Sequence, residues 1–168
     1  MWLSNFYQKI DTECSLINNP ILNIKAIKLD ANTNSLKNKL FSKSLKSCDY
    51  FKRKKDSIYF LELSDFNSQL ELLSDKSTPK EAKKYIQMEV RLKISDTLLI
   101  YYQLLDKYNI KDKNYLKKKV LLVICRNNIR DIQNIDRIMR QFTSHYCPTH
   151  LSSIKVISYT ELEDTFKR

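Results

Sequence analysis

Asp49, Glu62 and Ser64 are the side chains whose types and spacing point to chemistry. They lie in two short runs rich in aromatic and branched residues, 47–53 (Ser-Cys-Asp-Tyr-Phe-Lys-Arg) and 58–64 (Ile-Tyr-Phe-Leu-Glu-Leu-Ser), and both runs predict strands. Lys54-Lys55-Asp56-Ser57 between them reads as a hairpin loop. A two-residue loop (55–56) and a four-residue loop (54–57) give the same register: Arg53 opposite Ile58, Phe51 opposite Phe60, Asp49 opposite Glu62. A loop of three or five residues would shift that register by one. Opposed residues share one face of a sheet with Cβ atoms roughly 4.5–5.5 Å apart. Asp49 and Glu62 then stand side by side, with Ser64 on the same face. Two carboxylates so close repel each other unless a cation sits between them. Mg²⁺ takes oxygen ligands and is commonly held by one or two carboxylates. Such an ion activates water for attack on a phosphodiester.

The elements that must position these groups follow from patterning. Trp2, Phe6, Ile10, Cys14 and Ile17 recur at three- and four-residue steps and predict an amphipathic helix over 2–17, stopped by Asn18-Asn19-Pro20. Residues 21–29 predict a strand, and the polar, basic stretch 31–46 a short helix or an ordered loop. After the hairpin, Thr78-Pro79-Lys80-Glu81 has the form of a capping box with proline in the first turn. A long helix follows on the stripe Ala82, Ile86, Val90, Ile94, Leu98, Tyr101, Leu105 and Tyr108, with Ser95-Asp96 as a place for a kink and Asn109 as a left-handed stop. Residues 119–125 form the most apolar run and fit a strand buried on both faces. Asn128 to Asp131 start another helix, with Ile132, Ile135, Met139 and Phe142 inward, and 153–159 give a last strand with a short helical tail. The crossover from 58 to 125 predicts parallel pairing. The expected fold is α/β: a single domain over 1–168 with a mixed β-sheet flanked by helices, in the order helix, three meandering strands, long helix, strand, helix, strand.

The Asp49 to Glu62-Leu63-Ser64 arrangement resembles the PD-(D/E)xK nuclease superfamily, whose core is a helix, three meandering strands, a helix and a strand. The resemblance covers about residues 1–126. It implies that Asp49 on the second strand and Glu62 on the third bind the metal, with Mg²⁺ as cofactor. It also implies a lysine at position 64, where this chain has Ser64. Some members bring that lysine from the neighbouring helix, which here offers Lys83, Lys84 and Lys93. Gln87, Arg91 and Ser95 form a polar ridge on the same helix, and Arg91 is a second candidate cation. Three readings stay open: a nuclease with a relocated cation, an inactive nuclease-fold protein that binds nucleic acid or a protein partner, and a different α/β fold with ordinary strand carboxylates. Arg91 paired simply with Glu62 would make the site structural.

The chain has 168 residues and a formal charge of +11, which points to an anionic partner, most often nucleic acid. Glycine is absent. This excludes the usual forms of the P-loop, the dinucleotide-binding fingerprint, the kinase Gly-rich loop and the hydrolase nucleophile elbow. Between 37 and 55 only Asp49 opposes eight basic residues. Lys46, Lys52, Arg53, Lys54 and Lys55, with Gln87, are candidate nucleic-acid contacts, the hairpin-tip lysines being expected beside the carboxylates. Phosphate contacts of this kind give affinity without sequence choice. Tyr50 and Tyr59 are candidates for base stacking and equally for the core. Arg130, Arg137 and Arg140 share one helix, with Arg126 just before it, and read as a basic or merely solvated face. His145, Cys147 and His150 include zinc-ligand types without an evident fourth ligand. The four cysteines are scattered without a CxxC pair, no signal-peptide pattern opens the chain, and no run is long and apolar enough to span a membrane. These features predict a cytoplasmic protein with reduced thiols and no membrane partner.

Overall fold

The structure, a computed structural model, describes residues 2–10, 23–30, 35–40, 44–54, 56–110, 118–125, 128–145 and 151–167. Among the described residues six strands form one mixed sheet in chain order: β1 (Tyr7–Lys9), β2 (Lys25–Lys28), β3 (Tyr50–Arg53), β4 (Ser57–Glu62), β5 (Lys118–Cys125) and β6 (Ser153–Ser158). β1 to β4 form an antiparallel meander, and β4, β5 and β6 run parallel. The helices are α1 (Leu36–Leu40), α2 (Phe66–Ser74), α3 (Pro79–Lys107), α4 (Ile129–His145) and α5 (Tyr159–Lys167). The fold is mixed α/β, as the patterning predicts.

Strand alternation divides the core in two. Ile58, Phe60, Leu121 and Val123 face α1 to α4 and pack with Phe66, Ile86, Val90, Ile94 and Ile135. Leu61, Leu63, Leu122 and Ile124 face the other way and pack with Tyr159 and Leu162 of α5. β5 lies between two parallel neighbours and is buried from Lys119 to Cys125, which accounts for its unbroken apolar run.

α3 starts with the expected capping box: Thr78 accepts from Glu81 N, and the Glu81 side chain accepts from Thr78 N. It continues through Ser95 and Asp96 as one helix of 29 residues, and Asn109 beyond it takes φ 47°. Two elements differ from expectation. Trp2–Phe6 is a 3-10 turn and Tyr7–Lys9 a strand, where the spacing predicts a helix over 2–17. Pairing with β2 satisfies the backbone of this segment, while Phe6 and Ile10 anchor it in the two opposite core layers. Residues 11–22, the rest of that expected helix, lie outside the described residues. The second difference is α2, placed between β4 and α3. Asp65 caps it by accepting from Ser68 N, and Phe66 and Leu70 bury its inner face. No helix among the described residues is long and apolar enough to cross a membrane.

Candidate functional site

The hairpin takes the register in which Arg53 pairs with Ile58 and Phe51 with Phe60. Lys54 N donates to Ser57 O at 2.8 Å and closes the loop. Asp49 precedes β3 by one residue and extends the same pairing: its N–H donates to Leu61 O at 3.0 Å. Asp49 therefore stands opposite Glu62, on the face that carries Ile58 and Phe60. Its backbone carbonyl accepts from Leu29 N at 2.8 Å, and its Oδ2 accepts from Leu63 N at 2.7 Å. Leu63 lies beyond the last residue of β4, so the Asp49 carboxylate satisfies an amide that the ladder leaves unpaired.

Glu62 is 1% exposed. Its Oε1 accepts a short hydrogen bond from Ser64 Oγ and an ion pair from Lys93 Nζ at 2.5 Å. Lys93 Nζ also lies 3.4 Å from Ser64 Oγ. Both cationic and hydroxyl partners thus converge on one oxygen. The other, Oε2, is buried without a hydrogen-bond partner. Burial pushes the Glu62 carboxyl up to about 8, and the nearby Asp49 charge adds to this; Lys93 and Ser64 hold it back. Burial alone would lower Lys93, but the charges of Glu62 and Asp49 outweigh it and hold the ammonium protonated above the ordinary lysine range. Burial, with Glu62 next in size, also pushes the Cys48 thiol up, so the thiol beside the site stays neutral.

α3 supplies more than the lysine. Thr97 Oγ1 accepts from Cys48 N at 2.8 Å, and Asp96 Oδ2 accepts from Lys46 N at 2.7 Å. Lys93, Asp96 and Thr97 are three and four residues apart, so one flank of α3 sets both the cation and the chain entering Asp49. Nothing in the sequence singles out Thr97 beyond its place beside the buried stripe.

The structure brings together Asp49, Glu62, Ser64 and Lys93, and it separates the other candidates from them. Arg91 is exposed and lines a groove of about 520 Å³ between α3 and α4, together with Lys84, Gln87, Met88, Leu92 and Phe142. Two residues along a helix turn through about 200°, so Arg91 and Lys93 serve opposite flanks. The cation on Glu62 is Lys93, and this corrects the expectation of Arg91. Gln87 Nε2 donates to Ile138 O at 3.2 Å and ties α3 to α4. The hairpin tip is not beside the carboxylates. It lies at the opposite end of β4 from Glu62, roughly 17 Å away at 3.4 Å per residue. Lys52 Nζ donates to Lys25 O and Lys54 Nζ to Thr165 O, each at 2.6 Å, and both lie over the Phe166 ring. These two lysines serve the α5 layer, across the sheet from Lys93. Arg53 is exposed at the same far end, and Lys55 lies outside the described residues. Lys46 is exposed and stays at the Asp49 end. Tyr50 is buried, and Tyr59 packs on Phe166 at 5.2 Å, so both are core side chains. Cys147, His150 and Arg126 lie outside the described residues.

Among the described residues no group of three or more His, Cys, Asp or Glu side chains gathers to hold a metal. The donor set on offer is Asp49 and Glu62, with the unpartnered Oε2 as its one open buried acceptor. Two carboxylates on adjacent strands offer hard oxygen donors of the kind Mg²⁺ takes, and the burial of Glu62 Oε2 means that an ion there would have to give up water on the Glu62 side. No protein-family model, no curated protein and no solved structure matches the chain.

Proposed function

We propose that this chain is a divalent-metal-dependent nuclease of the PD-(D/E)xK kind, in which Lys93 on α3 takes the part of the lysine that Ser64 replaces. The observation that carries this reading is Lys93 Nζ at 2.5 Å from Glu62 Oε1 and 3.4 Å from Ser64 Oγ. The four-carbon stem from the helix thus ends beside the residue where the triplet lysine would start. Asp49 and Glu62 Oε2 would hold the ion, which when bound supplies Lewis-acid activation of water and of a phosphate oxygen. The Leu63 amide fixes the Asp49 carboxylate, and Ser64 fixes Glu62. The Lys93 ammonium orients the attacking water and opposes the negative charge that grows on the phosphate. The charge of +11 supports an anionic, nucleic-acid substrate.

The test is Mn²⁺ and Mg²⁺ titration by calorimetry beside cleavage of single- and double-stranded DNA, on the wild type and on Asp49→Asn. Metal binding and cutting that disappear together in the variant are the expected result. A wild type that neither binds metal nor cuts would sink the reading. One observation favours a second reading, an inactive nuclease fold acting through a protein partner. The α3–α4 groove has an apolar floor with Met88 62% and Leu92 41% exposed, and a buried Lys93–Glu62 pair can be purely structural.

A further inference from the structure

The hairpin lysines do not reach the carboxylates, so any strand presented to Asp49 and Glu62 needs another basic surface. β5 runs parallel to β4 with Glu62 opposite Val123, which carries Ile124 and Cys125 past the carboxylate. α4 begins just beyond, at the carboxyl ends of both strands, where open α/β sheets place their ligands. Its first three turns carry Arg130, Gln133, Asn134 and Arg137 on one side, and these line a hollow of about 370 Å³ with Asp131 as the single acid. The hollow is tied to the site by α2, which starts two residues after Ser64. Asn134 Nδ2 donates to Asn67 Oδ1 at 3.4 Å, and Asn67 of α2 is buried. Burial, with smaller contributions from the Asp131 and Asp65 charges, pushes the Cys125 thiol at the end of β5 up to about 12. Arg140, by contrast, pairs with Asp136 at 2.6 Å on its own helix.

We propose that the hollow lined by Arg130, Gln133, Asn134 and Arg137 is a phosphate-backbone subsite for the nucleic-acid strand presented to Asp49 and Glu62. Arg130 and Arg137 are seven residues apart, about 10.5 Å of rise along α4, a separation that their long side chains can narrow or widen to meet neighbouring phosphates on one strand. The two guanidiniums contact phosphodiester oxygens by paired N–H donors, and the amides of Gln133 and Asn134 donate between them. The subsite rests on the proposed nuclease reading for its purpose, but its binding is measurable without metal.

The experiment is fluorescence anisotropy of labelled single- and double-stranded oligonucleotides in EDTA, across a salt series. It compares wild type, Arg130→Gln/Arg137→Gln and Lys52→Gln/Lys54→Gln. Both arginines are exposed, so the fold tolerates their replacement. Each phosphate contact contributes about 0.7–0.9 to the slope of log K against log salt. The arginine pair is expected to lower that slope by about 1.5, while the lysine pair keeps it. An unchanged slope in the arginine variant, a matching loss in the lysine variant, or a wild type that binds no oligonucleotide overturns the subsite. Retained binding in a protein that neither binds metal nor cuts would refute the nuclease reading and leave the subsite standing.

Discussion

Replacing Lys93 by methionine keeps most of the stem and removes the charge, so the consequence is electrostatic. At pH 7 the variant loses a charged hydrogen bond to Glu62 and the attraction of Asp49. A hydrogen bond to a charged group is worth about 1.5–3 kcal/mol, and a domain of this size turns that into a fall in Tm of about 3–12 °C. The loss then depends on pH in a way the geometry fixes. The folded-state value of Glu62, about 8, lies above its unfolded value of 4.5. Such a group contributes stability that is fully present below 4.5 and lost as pH rises to 8. Wild type and variant share that decline, so their difference stays flat up to pH 8. Above pH 8 the wild-type carboxyl ionises with the help of Lys93, which stays protonated there. The variant carboxyl lacks that help, keeps its proton, and continues to lose stability at up to about 1.4 kcal/mol per pH unit. By pH 9 the deficit reaches about 3–4 kcal/mol, within the range for breaking a buried pair. Urea unfolding of both proteins from pH 6 to 9.5 reads this directly. The double variant Lys93→Met/Glu62→Gln has no carboxyl at position 62, and its deficit is expected to be independent of pH. A single-variant deficit below about 0.5 kcal/mol, or one that shrinks between pH 7 and 9, refutes the description of Lys93 and Glu62 as a buried coupled pair.

Two further positions are probed by paired substitutions. Thr97→Val removes the acceptor of the buried Cys48 N–H, and is expected to cost about 1–3 kcal/mol in chemical denaturation. Thr97→Ser restores most of it; equal losses in both would deny the hydroxyl its role. Asn109→Ala, at φ 47°, is expected to cost about 1 kcal/mol while Asn109→Gly stays within a few tenths. An alanine variant as stable as the glycine one would refute a left-handed requirement at that position.

The pairing of Asp49 with Glu62 was legible because a polar loop between two β-rich runs leaves few registers. The mixed sheet, with β5 parallel to β4, followed from a meander feeding a long crossover, whereas β1 was read as helix. The choice of cation was not legible. The stripe Ile86, Val90, Ile94 marks the buried face of α3, but not which flank lies over β4 and which over α4. Lys93 sits on the first flank and Gln87 and Arg91 on the second, and only the docking of α4 decides between them. The hairpin lysines misled for a simple geometric reason. A hairpin places its loop and its strand ends at opposite ends, so the loop lysines, though close to Asp49 in sequence, are distant from Glu62. At the N-terminus, the four-residue step from Phe6 to Ile10 fits a helix and equally a segment passing between two core layers. α2 carried a readable signal, an Asp65 cap ahead of Phe66, Leu70 and Leu73 at helical spacing, and it decides how α4 meets the site.

A cation carried by the helix changes how the site is assembled. A lysine two residues after Glu62 would share its strand and face the same way by local geometry alone. Lys93 reaches Glu62 only when α3 is seated on its buried apolar stripe, and Asp96 and Thr97 then hold the backbone at Lys46 and Cys48. Lys93, Asp96 and Thr97 therefore act on the carboxylates as one rigid flank. Ser64 fits this arrangement because its short hydroxyl donates to Glu62 Oε1 and leaves room for the ammonium on the same oxygen. A lysine at 64 would bring a second charge to an oxygen already occupied by Lys93. On the proposed nuclease reading, Ser64 and Lys93 together occupy the Glu62 oxygen that a single lysine two residues along the strand would otherwise approach.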